Sequence, residues 1–173
     1  QLKIEMVPID AEAALDRALE TCRGMANRFK VDLLNGKREA TAVVNADSDR
    51  LRQVFINLLT NAIKYNTNDR PTVSVRTTIE NGRYNAFIED NGPGIDAQDT
   101  ETIFSKFSRG WERTARRAGG AGLGLAISRQ IIRNLNGELA LVQTGDGGAC
   151  FRVSLPLASP AARVGPGTQA DPA

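Results

Sequence analysis

The stretch Leu51 to Tyr65, LRQVFINLLTNAIKY, constrains the rest of the chain most strongly. Leu51, Val54, Phe55, Leu58, Leu59, Ala62 and Ile63 recur at the three-and-four spacing of one helical face, which predicts a helix buried along that face. A helix so apolar on one side needs a layer to lie on. On its neighbouring flank, Asn57, Asn61 and Lys64 follow one another at steps of four and three, so two carboxamides and an ammonium point the same way. Standing alone, such a row is an ordinary solvated shoulder. Followed by phosphate-binding elements it suits a magnesium–phosphate group, because Mg²⁺ takes few protein oxygens and keeps its other positions for water and phosphate.

Composition narrows the function classes. With 173 residues and 41% hydrophobic content, the chain can bury the core of one domain. A net charge of +2 gives no global signal for nucleic acid or membrane, and neither is expected as a partner of this domain. Two cysteines, Cys22 and Cys150, make no disulfide framework, so a reducing, cytoplasmic setting is expected. No apolar run reaches membrane-spanning length and no signal-peptide pattern opens the sequence; membrane anchoring of a longer protein stays open. Histidine is absent, which removes histidine zinc sites and Ser-His-Asp triads together.

In chain order, Leu2 to Val7 reads as a short strand closed by Pro8, and Asp10 as the cap of a helix from Ala11 to Phe29. Val31 to Leu34 and Thr41 to Asn45 read as short strands, and Asp47 as the cap of the central helix. Val73 to Ile79 alternates as a strand, and Asn81-Gly82 is a two-residue hairpin signal leading into Tyr84 to Glu89. Further on, Leu123, Ile127, Ile131 and Leu135 step along a third helix ended by Gly137. Glu138 to Gln143 and Cys150 to Leu155 are the final strands. The pattern predicts an α+β fold, a two-layer sandwich of a mixed, mostly antiparallel sheet with helices on one face. Residues 1–157 are expected to form the domain, and 158–173, rich in Pro, Ala and Gly, a disordered tail.

Three segments carry chemistry beyond the central helix. Asp90-Asn91-Gly92-Pro93-Gly94-Ile95 places a carboxylate at a strand end, on backbone that two glycines open to a flat ligand. A carboxylate there can accept a hydrogen bond from the exocyclic amine of adenine. Phe104 and Phe107 precede a basic stretch, Arg109 to Arg117, and the region reads either as a mobile lid pinned by the two phenylalanines, with arginines for phosphate, or as a solvated basic loop. Gly119-Gly120-Ala121-Gly122-Leu123-Gly124-Leu125 opens the later helix, where free N–H groups and the helix dipole favour an anion. A dinucleotide fingerprint would need a strand directly before these glycines, and polar, basic Glu112 to Ala118 stands there instead.

In this order the motifs resemble the ATP-binding catalytic domain of sensor histidine kinases, within the Bergerat-fold ATPases. Asn57 to Tyr65 resembles the N box, Asp90 to Ile95 the first glycine box, Phe104 to Phe107 the F box, and Gly120 to Leu125 the second glycine box. The resemblance implies ATP and Mg²⁺ as ligands, with Asn61 holding the metal, Asn57 beside metal and phosphates, and Lys64 on phosphate. It implies Tyr65 packing on the nucleotide, Asp90 reading adenine, and Gly92, Gly94 and Ile95 shaping the base pocket. Phe107, Arg109, Gly120, Gly122, Leu123, Gly124 and Leu125 complete the implied nucleotide site.

Several positions depart from the family pattern. Lys106 stands where proline is common, Ala121 where Ser or Thr is usual, and Cys150 where a Thr often serves a water-held adenine contact. The family's phospho-accepting histidine is missing. The implied partner is therefore a histidine-bearing dimerisation domain, of the same full-length protein or another chain, with a response regulator downstream. Relatives that hydrolyse ATP or phosphorylate serine resemble one another in carrying Glu at the position of Asn57, where a carboxylate can act as general base. Asn57 favours histidine phosphorylation; a serine kinase or ATPase of the same fold, or a nucleotide-dependent docking module, is the alternative.

Overall fold

Two aspartates start the two long helices, as the sequence predicts. In the computed structural model, which describes residues 3–100, 102–105, 124–145 and 147–159, helix α1 spans Ala11–Phe29 and helix α2 spans Ser48–Lys64. Asp10 Oδ1 accepts the N–H of Glu12 at 3.0 Å and that of Ala42 at 3.0 Å, so one carboxylate caps α1 and fastens a distant loop. Asp47 Oδ1 accepts the N–H groups of Asp49 and Arg50, and its Oδ2 accepts that of Glu5 at 3.1 Å. At its far end α1 turns left-handed at Lys30 (φ 56°), and the N–H groups of Lys30 and Val31 return to Asn27 and Ala26.

The strands are β1 (Val7–Asp10), β2 (Asp32–Asn35), β3 (Val43–Ala46), β4 (Thr72–Glu80), β5 (Arg83–Asp90), β6 (Glu138–Gly145) and β7 (Gly148–Pro156). The main sheet runs β2-β4-β5-β7-β6, antiparallel except for the β2–β4 pair. β1 and β3 form a separate antiparallel ribbon. Helix α3 spans Gly124–Asn134. Asn81 and Gly82 both take positive φ (52° and 74°), the two-residue turn that matches the twist of β4 and β5. Tyr84, Ala86 and Ile88 of β5 face the helices and are buried with Leu51, Val54, Phe55, Leu58, Leu59 and Ile63 of α2. A two-layer α+β sandwich with one helical layer results.

Three sequence expectations are corrected. The first strand runs from Val7 to Asp10 with Pro8 inside it, rather than ending there. The ribbon is two-stranded, so β1 is an edge, where a residue without an N–H is tolerated. Ile127 is 43% exposed, because steps of four drift off a 3.6-residue period; the buried face of α3 is Leu125, Ser128, Ile131 and Ile132. Finally, the left-handed residue that ends α3 is Asn136 (φ 62°), while Gly137 is needed for contact. A Cβ on Gly137 would stand 2.4 Å from the Ser154 carbonyl oxygen. At the C-terminal side, ordered pairing passes the expected boundary: Leu157 bridges to Val44 and the Ala158 N–H donates to Val43 at 2.8 Å. From residue 160 the expected tail lies outside the described residues.

Beneath the sheet, Glu12 of α1 is 2% exposed and receives the Nε of Arg38 at 2.9 Å together with the Thr77 hydroxyl. Arg38 also reaches Asp16 and Asn35. This cluster ties α1 and β4 to the loop that carries Arg38. The nearby Tyr84 hydroxyl is buried without a partner among the described residues, and burial, then the Glu12 charge, push its pKa well above the usual phenol value.

Candidate nucleotide site

Helix α2 gauges the site from end to end. Near its C-terminus, Gly92 packs so closely that a Cβ would meet the Asn66 Cα at 3.3 Å and the Tyr65 carbonyl oxygen at 3.4 Å. Towards its middle, a Cβ on Gly124 would stand 2.3 Å from Asn57 Oδ1 and 2.6 Å from Nδ2. Between Asn57 and Tyr65 the helix rises ~12 Å. One glycine therefore lies against each end of the polar row.

At the Tyr65 end stands Asp90, the last residue of β5, on the helix-facing side of the sheet like Ile88. Among the described residues its carboxylate accepts two hydrogen bonds, both on Oδ1, from the N–H of Gly92 at 2.9 Å and of Ala149 at 3.3 Å. Burial raises its pKa; the two N–H donors oppose that rise, and Glu89 adds to it. Among the described residues Oδ2 accepts no hydrogen bond. Tyr65, half-buried, has its hydroxyl pKa raised by burial.

Asn91 fastens the surrounding loops. Its Oδ1 accepts the Thr72 N–H at 2.8 Å and Asn66 Nδ2 at 2.8 Å, while its Nδ2 donates to the Arg70 carbonyl at 2.9 Å. Asn68 Nδ2 donates in turn to the Asn91 carbonyl at 2.9 Å. The α2–β4 connection is thereby tied to the turn that begins at Asp90. Gly94 takes φ 76°, where a glycine is required, and Ile95 is half-buried against the core.

At the other end, half-buried Asn57 donates Nδ2 to the Ser128 hydroxyl of α3 at 2.9 Å. Asn61 is half-buried, and its carboxamide makes no hydrogen bond among the described residues, while Lys64 is exposed. Leu125 belongs to the core. The donor set fits a hard cation that arrives with its phosphates: two carboxamides offer neutral oxygens, and no group of three or more His, Cys, Asp or Glu gathers among the described residues.

Cys150 does not stand beside Asp90. Its register opposite Glu89 turns it to the other face of the sheet, where burial raises its thiol to about 11, and Ala149 is the residue on the Asp90 side. Phe104 packs edge-on against Phe151 at 6.1 Å, with the Arg129 guanidinium 4.5 Å from its ring centre. Phe107, Arg109, Gly120, Gly122 and Leu123 lie outside the described residues. Ser128 and Asn91 are the contributors that the sequence reading missed. The signal for Ser128 was a hydroxyl on an otherwise apolar helical stripe; for Asn91 there was none beyond its place between Asp90 and Gly92.

Residues 46–159 match the family described as histidine kinase-, DNA gyrase B- and HSP90-like ATPases. Among curated proteins, the sensor protein KdpD of Escherichia coli is 37% identical over 118 residues, which cover 68% of this chain and 13% of KdpD. The sensor protein CutS of Streptomyces coelicolor is 32% identical over 156 residues, 89% of this chain and 37% of CutS. The chain thus spans little more than a third of CutS and far less of KdpD. Among solved structures, the mycobacterial sensor histidine kinase MprB superposes with a TM-score of 0.73 at 28% identity, covering 88% of this chain and 97% of that one. Full-length ShkA in complex with AMPPNP superposes with a TM-score of 0.76 at 27% identity, covering 94% of this chain and 33% of that one.

Proposed function

Because the chain belongs to the histidine kinase-, DNA gyrase B- and HSP90-like ATPases, we propose that it binds Mg-ATP and transfers the γ-phosphoryl group to a histidine on a separate domain. The observation that carries this reading is the placing of two glycines along α2, Gly92 at Tyr65 and Gly124 at Asn57. A nucleoside triphosphate laid along the helix would meet Asp90 with its base and the Asn57–Lys64 flank with its phosphates.

Each residue then has a task. Asp90 Oδ2 accepts the adenine amine, while Oδ1 stays tied to backbone N–H groups, so the carboxylate cannot swing away. Tyr65 lies beside the base, and Lys64, exposed at the end of α2, is free to reach phosphate. Asn61 would hold the magnesium ion, with Asn57 beside the metal and phosphates; the ion when bound neutralises charge on the phosphate oxygens. Phosphoryl transfer is mostly positioning and charge neutralisation, and a neutral carboxamide at position 57 gives water no base. The nucleophile comes from the partner as a neutral imidazole, which needs none. A histidine-bearing dimerisation domain is the direct partner and a response regulator the eventual recipient.

The test is transfer from γ-labelled ATP. The chain alone should bind ATP, stay unlabelled and release phosphate slowly; adding a histidine-bearing domain from a related sensor kinase should label that domain. Rapid phosphate release by the chain alone, or a stable phosphoserine on it, would overturn the reading in favour of a hydrolase or serine kinase.

A further inference from the structure

A hydroxyl in the buried face of α3 needs a reason. Leu125, Ile131 and Ile132 form that face together with Ser128, which is 2% exposed. A buried hydroxyl without a partner is costly, and the partner here is the Asn57 carboxamide across the α2–α3 contact, at 2.9 Å. The same carboxamide is confined from below: a Cβ on Gly124 would lie within 2.8 Å of its Cγ, Oδ1 and Nδ2 alike. Gly124 and Ser128 are one helical turn apart on α3, so one helix supplies both the floor under the amide and the acceptor for its N–H.

We infer that Ser128 is a positioning residue for the reaction, an inference that rests on the nucleotide-site reading above. By engaging Nδ2, its hydroxyl leaves Oδ1 as the end of Asn57 that can turn to magnesium or its water. The N-box asparagine is thus held in place by the helix that follows the second glycine segment. Residues 71 positions apart are coupled, and any movement of α3 against α2 moves the amide.

Two measurements test this on the whole chain. In nucleotide-free protein, the side-chain amide resonances of Asn57 should shift in Ser128→Ala while the backbone spectrum elsewhere holds. Affinity for ATP should then fall about three- to tenfold with Mg²⁺ present, and change little in EDTA. Combined with Asn57→Ala, the same substitution should cost less than about twofold, because its route to the nucleotide is gone. Ser128→Cys keeps the volume, offers only a weak acceptor and guards against a packing artefact; it should lose affinity in the same Mg²⁺-dependent way.

Unshifted Asn57 resonances, unchanged Mg-ATP affinity in both variants, or an equal loss in the Asn57→Ala background would each overturn the inference and leave the proposed function standing. Failure of the unmodified chain to bind Mg-ATP would remove both.

Discussion

The side-chain oxygen of Asn91 accepts the backbone N–H of Thr72 at 2.8 Å, so one residue of the first glycine segment closes off the start of β4. Its carboxamide serves Asn66 and Arg70 as well, all within 2.9 Å. A polar hub of this kind holds two loops in register, and its loss leaves several groups unpaired at once. Asn91→Ala should cost about 1–3 kcal/mol of stability. Hydrogen exchange should speed up first at Thr72, and chemical denaturation with exchange read by NMR checks both.

Asp90 should show function and stability in opposition. Burial raises its pKa, so its folded-state value lies above that of the unfolded chain. Its favourable contribution is therefore full below the ordinary carboxylate pKa and is lost as pH rises through the raised value. At pH 7 the buried charge destabilises the nucleotide-free protein. Asp90→Asn should melt higher than the wild type at pH 7, with the gap closing towards pH 3. The same variant should bind ATP about ten- to a hundredfold more weakly, since a charged hydrogen bond is worth ~1.5–3 kcal/mol. Melting curves across pH and a nucleotide titration decide it.

Gly124→Ala should separate folding from binding. The three atoms nearest the added Cβ all belong to the end of one flexible side chain, Asn57, which can swing aside. Alanine favours a helix by ~0.8–1 kcal/mol over glycine. The variant should still fold, the helix gain offsetting part of the cost of the Ser128 hydroxyl that the displaced amide leaves unpaired, yet lose Mg-ATP affinity about three- to tenfold, as Ser128→Ala does, because the amide has left Ser128. Calorimetry of unfolding and of binding on the same sample would show whether the two effects part.

Much of this was legible from local chemistry. The caps Asp10 and Asp47, the bounds of α1 and the Asn81-Gly82 turn follow from short-range rules, and they stand where the sequence puts them. Asp90 at the end of a strand could be read the same way. What escaped is non-local. Nothing around Ser128 announces a partner 71 residues away, and nothing around Pro8 says that its strand is an edge. The misassigned Ile127 shows the limit of counting in fours on a helix that turns every 3.6 residues. Likewise, Gly137 is identifiable as a helix-ending glycine, but whether it supplies the turn or the close contact depends on β7.

Arg38 should matter to the fold and little to the chemistry. Its side chain is 13% exposed and lies against a Glu12 side chain that is 3% exposed. Arg38→Ala would leave the Glu12 charge buried with only the Thr77 hydroxyl, and removing one partner of such a pair costs ~3–5 kcal/mol. The double change Glu12→Gln with Arg38→Met should recover most of that loss. Denaturant midpoints of the single and double variants test the coupling, and ATP affinity of the folded protein should be unaffected.

The strand order has a consequence for synthesis. β5 pairs with β4 through a tight turn, but its other edge is covered only by β7, and Asp90 and its donor Ala149 are 59 residues apart. At ~5–20 residues per second, the ribosome takes roughly 3–12 s to cover that distance. Through that interval the nascent β5 presents an open edge with Tyr84, Ala86 and Ile88 on one face, a template for wrong pairing. Its protection in the finished protein arrives with the same hairpin that carries Ala149, so a newly made chain covers its open strand edge and fastens the Asp90 carboxylate in one event.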